Sequence, residues 1–93
     1  MTSIRLPRVA GSRDLAEALV EEAHISSADN VQVDGRNLVV NTESFAFRIV
    51  ELVSEASPQS VEFVGGSPEW FKDVKRAADK LQVKFKIGNT STA

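Results

Sequence analysis

Apolar residues recur along the chain at two spacings, which predict helices and strands in turn. A spacing of three or four residues, the period of an amphipathic helix, runs from Leu15 to Ala23, from Phe45 to Ala56 and from Trp70 to Leu81. Ser12 and Ser67 stand just before the first and third of these segments. Serine is favoured there because its hydroxyl accepts a hydrogen bond from a free N–H of the first helical turn. The pattern therefore predicts three helices.

Four other segments alternate between apolar and polar residues, as strands do: Ser3 to Leu6, Val31 to Val33, Val61 to Val64 and Val83 to Ile87. Strands that alternate with helices across short connections form a mostly parallel sheet with right-handed crossovers. Since none of the four is apolar throughout, one face of the sheet should be partly solvated. We predict an α/β fold with a small, mostly parallel sheet of four to five strands and three helices packed mainly on one face.

Residues 36–41 can be interpreted in two ways. Asp34-Gly35 lies between the segments VQV and LVV, and this dipeptide is typical of a tight hairpin turn. Alternatively, VQV is a central strand and RNLVVN is a connection that leads to the second helix.

Length and composition limit the possible functions. Ninety-three residues suffice for one domain, predicted at 1–88, and the polar residues 89–93 are expected to be a disordered tail. The chain has no cysteine, which excludes disulfides and thiolate metal sites, and it has a single histidine, His24. We therefore expect no enzyme activity, no metal site and no cofactor.

The charge is unevenly distributed. The whole chain carries −2, but residues 67–93 hold six basic and three acidic side chains, which is +3. An acidic chain of this kind is not expected to bind nucleic acid, whereas a polarised surface can orient a protein partner. No apolar stretch is long enough for a membrane span or a secretion signal, so we expect a cytoplasmic protein without membrane contact.

Two long segments resemble a known family. VQVDGRNLVVNTESFAFRIVEL and VEFVGGSPEWFKDVKRAADKLQVKFKI are similar to the STAS domain, the fold of bacterial anti-sigma factor antagonists. The resemblance extends from Val31 to Ile87 and favours the connection over the hairpin for residues 36–41. It implies a STAS-like domain that binds an anti-sigma or kinase-like protein.

The family motif Asp-Ser-Ser-Gly opens a helix and carries a phosphorylation site on its second serine. In this chain Thr42 stands at the Asp, Glu43 at the first Ser, Ser44 at the second Ser and Phe45 at the Gly. The resemblance thus implies that Ser44 is phosphorylated. An independent interpretation is that Thr42 or Ser44 is only the N-cap of the helix.

A binding surface is expected at the carboxyl ends of the strands, where α/β sheets usually place their sites. Trp70 and Phe71 cannot share one narrow helix face, so at least one of them should lie near the surface. The residues that we assign to the partner-binding surface are Thr42, Glu43, Ser44, Phe47, Gly66, Ser67 and Trp70.

The sequence therefore predicts a non-catalytic regulatory or adaptor domain that acts by protein–protein binding, modulated by phosphorylation at Ser44. One alternative is an inhibitor or accessory protein that has lost the switch and binds an unrelated target. Another is a nucleotide or small-anion sensor, because Gly65 and Gly66 precede the third helix and their N–H groups could hold a phosphate.

Overall fold

The structure is a computed structural model that describes residues 2–88, without the side chains of residues 86–88. The tail predicted at 89–93 lies outside the described residues. The elements in chain order are β1 Thr2–Arg5, β2 Val9–Ala10, α1 Arg13–Ala23, β3 Asn30–Asp34, β4 Val40–Asn41, α2 Glu43–Glu55, β5 Ser60–Val64, α3 Pro68–Leu81 and β6 Lys86–Gly88.

The main sheet has four parallel strands in the order β1-β3-β5-β6. Each helix connects one strand to its neighbour in the sheet, and such crossovers are right-handed, so all three helices fall on the same face. α2 packs against both α1 and α3, which makes the helices one layer. The predicted α/β architecture with a parallel sheet is confirmed.

Residues 36–41 do not form a hairpin with β3. β3 pairs in parallel with β1 and β5, and the chain after it turns away at Gly35. β4 instead pairs in parallel with β2, with Val9 opposite Val40, so the connection contains a short strand of a second, two-stranded sheet. A local turn signal cannot reveal that pairing, because β2 and β4 are about thirty residues apart along the chain.

Each helix begins at a hydroxyl side chain. Ser12 Oγ accepts from Leu15 N at 3.1 Å, Thr42 Oγ1 from Phe45 N at 3.2 Å, and Ser67 Oγ from Trp70 N at 3.1 Å. The caps at Ser12 and Ser67 are confirmed. Of the two candidates before α2, Thr42 is the cap, which leaves the hydroxyl of Ser44 available inside the first turn.

The last strand is shorter than the pattern predicts. α3 ends with Gln82 in the left-handed region, at a φ of 57°, and Val83 N then donates to the Ala78 carbonyl at 3.0 Å. The carbonyl groups in the last turn of a helix have no partner inside the helix, and the backbone N–H of Val83 provides one of them with a hydrogen bond. β6 therefore begins at Lys86, and the prediction of a strand from Val83 was wrong.

The core lies between the sheet and the helix layer. Val33 and Phe63 of the central strands are fully buried, whereas Gln32 and Glu62, which point to the other face, are half-buried. Full burial of a large apolar side chain contributes about 1.5–3 kcal/mol. The largest such side chain is Trp70.

Trp70 was wrongly assigned to the binding surface. Its ring is 0% exposed and lies 5.9 Å from the ring of Phe45 and 6.4 Å from that of Phe63. Its neighbour Phe71 is half-buried. The spacing of Trp70, Val74 and Ala77 already places Trp70 on the apolar stripe of α3, and that stripe faces the core.

Candidate functional site

A groove opens between the first turns of α2 and the middle of α3. It has a volume of about 190 Å³. We call it the Ser44 groove, and it is lined by Arg13, Glu43, Ser44, Phe47, Asp73, Arg76, Ala77 and Lys80.

The local sequence explains how α2 presents its residues to the groove. Because Thr42 is the cap, Glu43 and Ser44 are the first two residues of the helix and both are exposed. Phe47 follows Ser44 by three positions, so it lies on the same helix face, half-buried. The structure thus brings together three of the predicted binding residues, Glu43, Ser44 and Phe47.

Two side-chain hydrogen bonds involve the carboxylates that line the groove. Arg76 Nη1 of α3 donates to Glu43 Oε2 at 3.3 Å, and Asn41 Nδ2 donates to Asp73 Oδ2 at 2.9 Å. Each carboxylate that lines the groove therefore has a partner.

The groove also contains positive charge without a partner. Within residues 2–88, neither Arg13 nor Lys80 forms an ion pair. Three cationic side chains thus line the groove against two carboxylates, one of which is paired with Arg76. The N-terminus of α2 adds the partial positive charge of its free N–H groups. The surroundings of the Ser44 hydroxyl favour a negative group.

Sequence reasoning missed the residues that α1 and α3 contribute. Asp73, Arg76, Ala77 and Lys80 are spaced by three, one and three positions, which places them on one face of α3. The spacing in the sequence predicts that these four residues share one face of α3, but it does not predict that this face lies against α2. Arg13 carries no local signal at all, because it is simply the first residue of α1.

Gly66 and Ser67 do not line the Ser44 groove. They belong to the loop after β5, where Gly65 has a φ of 73° and Gly66 a φ of 126°. A Cβ on Gly65 would collide with Cγ of Arg36, and one on Gly66 would collide with Cδ1 of Trp70. The two glycines are therefore required by close packing, independently of any ligand.

Arg36 is fixed beside this loop by Asp34. Its Nε and Nη2 donate to the two carboxylate oxygens at 2.9 and 2.6 Å, and its backbone N donates to Oδ1 at 3.0 Å. The side-chain hydrogen bonds from Arg36 lower the pKa of Asp34 and outweigh its burial, which acts in the opposite direction. The Asp34 carboxylate is thus held in its charged form at the end of β3.

Within the described part of the chain, no three His, Asp or Glu side chains converge to hold a metal ion. No helix there is both long and apolar enough to cross a bilayer. Comparisons with protein-family models, curated proteins and solved structures found no match. Function must therefore be inferred from the residues themselves.

Proposed function

We propose that this chain is a non-catalytic, STAS-like regulatory or adaptor domain that binds another protein through the Ser44 groove, and that phosphorylation of Ser44 controls this binding. The observation that carries the proposal is the position of Ser44. Its side chain is exposed in the first turn of α2, in a groove that Arg13, Arg76 and Lys80 also line.

The chemistry of the groove suits a phosphate. A phosphoserine carries a charge of about −1.5 to −2 and three acceptor oxygens, which a helix N-terminus and nearby guanidinium groups stabilise. In the described part of the chain, Arg76 is paired only with the exposed carboxylate of Glu43, and such a pair is weak. A phosphate on Ser44 would compete with Glu43 for Arg76 and attract Arg13 and Lys80. Phosphorylation would then change the net charge of the groove, which a partner contacts, from positive to negative.

A second candidate is supported by Glu43 itself. This carboxylate stands where the STAS motif has its first serine, and it already pairs with Arg76. A permanent negative charge at this position suits an accessory protein that binds its target constantly and has lost the switch.

The first experiment identifies the proteins that bind in the Ser44 groove. A photo-crosslinking amino acid replaces Phe47, and the matched control carries it at Ala28, an exposed position outside the groove. The tagged chain is expressed in its native host, and cross-linked proteins and phosphate on Ser44 are identified by mass spectrometry. We expect a partner at position 47 that is absent from the control.

Variants of Ser44 and Arg76 then separate the two candidates. A phosphorylation switch predicts that Ser44→Asp weakens binding of the purified partner about tenfold or more, while Ser44→Ala leaves it unchanged. A permanent accessory protein predicts that both Ser44 variants bind normally and that Arg76→Ala does not. If none of these changes affects binding, the Ser44 groove is not the binding site. Circular dichroism verifies that each variant is folded.

A further inference from the structure

β1 is an outer strand of the main sheet, and among residues 2–88 no strand lies beside its second edge. Leu6 N donates to the Asp34 carbonyl at 2.9 Å, so the backbone groups of Ile4 and Leu6 face β3. Successive residues of a strand point their N–H and C=O groups to opposite sides, so those of Ser3 and Arg5 point away from the sheet. Within residues 2–88 no hydrogen bond satisfies them. An exposed edge of this kind is a template for another strand.

The free edge runs along a depression between β1 and α1. A cleft of about 640 Å³ lies at the carboxyl end of β1, and a smaller one of about 310 Å³ lies nearer its start. Both are lined by Arg5 and Leu19, so they form one depression, which we call the β1 trough. It is separate from the Ser44 groove, with which it shares no lining residue.

The larger cleft is positively charged. Arg5, Arg8 and Arg36 line it, and no carboxylate does. Arg36 is neutralised by Asp34, but Arg5 and Arg8 form no ion pair within the described residues. Among the residues that the structure describes, Glu22 is the one carboxylate that lines the trough, in the smaller cleft. On a chain of net charge −2, this surface attracts an acidic partner.

The wall opposite the arginines is apolar. Leu15 and Leu19, one helical turn apart on α1, are half-buried and line the cleft. The large apolar side chains that the described residues leave exposed, Val9, Val39 and Val40, lie near Arg8. The carbonyl of Arg8 accepts from the N–H groups of the last two, at 2.7 and 2.9 Å, which holds them next to it.

We propose that the β1 trough binds an extended segment of another protein in which acidic residues alternate with apolar ones, and that this segment adds a strand to the edge of β1. A strand places alternate side chains on opposite faces. One set would meet Leu15 and Leu19 in the helix layer, and the other would meet Arg5 on the open face of the sheet. Pro7 has no N–H, so pairing ends there and uses the groups of Ser3 and Arg5. The proposal is independent of the function proposed for the Ser44 groove.

Residues 89–93 do not have the chemistry of the proposed segment, because they contain no Asp or Glu. A second copy of this chain would bring two arginine-rich edges together, which like charges oppose.

The test uses the whole chain and a fluorescent peptide in which glutamate alternates with valine. Control peptides alternate lysine with valine, or contain the same residues with the glutamates grouped at one end. Fluorescence anisotropy should show that only the alternating acidic peptide binds, and more weakly as salt is raised. Amide hydrogen exchange at Ser3 and Arg5 should slow when this peptide is bound, because their N–H groups become hydrogen-bonded.

Charge reversal locates the site. The variant Arg5→Glu with Arg8→Glu should weaken binding about tenfold or more. Lys72→Glu with Lys75→Glu is the matched control, because it makes the same charge change at two exposed positions of α3 and should have no such effect.

Three results would overturn the proposal: equal loss in both double variants, absence of binding, or unchanged exchange at Ser3 and Arg5. Dimers in sedimentation experiments that protect these two amides without peptide would instead make the trough an interface between copies. Normal peptide binding by Ser44→Asp is expected, because the two surfaces are separate.

Discussion

Arg76 and Glu43 form an ion pair between α3 and α2, with 3.3 Å between Nη1 and Oε2, at the groove that also holds Ser44. Their side chains are 47% and 59% exposed, so water competes with the pair. Exposed pairs of this kind contribute about 0–1 kcal/mol to stability. Arg76 can therefore change partner at little cost to the fold, as a phosphorylation switch at Ser44 requires.

Removing the charge of Glu43 should alter a phosphate on Ser44 more than it alters the fold. Glu43→Gln should change the free energy of unfolding by less than about 1 kcal/mol in urea denaturation. In protein phosphorylated at Ser44, it should lower the second pKa of the phosphate, because a neighbouring negative charge is lost. Phosphorus NMR titration measures this pKa. Glu69→Gln, in the first turn of α3 and outside the groove, is the control, and an equal effect of both variants would contradict the assigned position of Ser44.

Gly65 should tolerate no side chain. Gly65→Ala forces alanine to a φ of 73° and places its Cβ 2.9 Å from the backbone N of Arg36. We expect a loss of about 1–3 kcal/mol of folding free energy, measured by thermal or urea unfolding. Gly11→Ala is the control, because the nearest atom to its Cβ would be Thr42 Cγ2 at an ordinary 3.8 Å. Equal losses in both variants would show that the loop after β5 is not constrained in this way.

Trp70 should contribute through its apolar area and not through its indole N–H. Within residues 2–88, Nε1 is buried and has no hydrogen-bond partner. Trp70→Ala should destabilise the fold by about 3–5 kcal/mol, since it leaves a cavity beside Phe45 and Phe63. Trp70→Phe should cost much less, because it keeps an aromatic ring and removes no hydrogen bond. If urea unfolding gave the same loss for both, the indole nitrogen would have a role that the packing does not explain.

The pair between Asp34 and Arg36 should make stability depend on acid pH. The pKa of Asp34 is lowered in the folded chain, so the carboxylate stabilises the fold above the pKa of the unfolded state, about 3.9. This contribution is lost as the pH falls through the folded pKa. Asp34→Asn should therefore be less stable than the original chain at pH 7, and the difference should shrink below about pH 4.

Urea unfolding at a series of pH values measures this difference. Asp79→Asn is the control, because Asp79 is exposed and its carboxylate forms no ion pair within the described residues. A difference between the original chain and Asp34→Asn that stayed constant from neutral to acid pH would contradict the assignment of Asp34 as the group that titrates.

Local chemistry was sufficient to predict the order of the three helices and of the four strands of the main sheet. The caps at Ser12 and Ser67 depend on one side chain and the three residues that follow, and the alternation of Val61 to Val64 reports one strand with two different faces. Both are properties of a few consecutive residues. The prediction of the last strand failed because a backbone contact decides it: Val83 closes α3 instead of starting β6. The parallel pairing of Val40–Asn41 with β2, inside a segment left open between hairpin and connection, was not predicted.

The sequence by itself determined that strands and helices alternate in an α/β fold, that α2 begins near Thr42, and that Ser44 lies in its first turn. Only the tertiary structure decided what surrounds Ser44, because Arg13, Arg76 and Lys80 reach the groove from two other helices. It also decided that, among residues 2–88, one edge of β1 has no neighbouring strand. Each of these depends on how helices rotate and on which strands become neighbours. Helix packing and strand pairing are set by the free energy of the whole folded chain, so they cannot be predicted from a short stretch of residues.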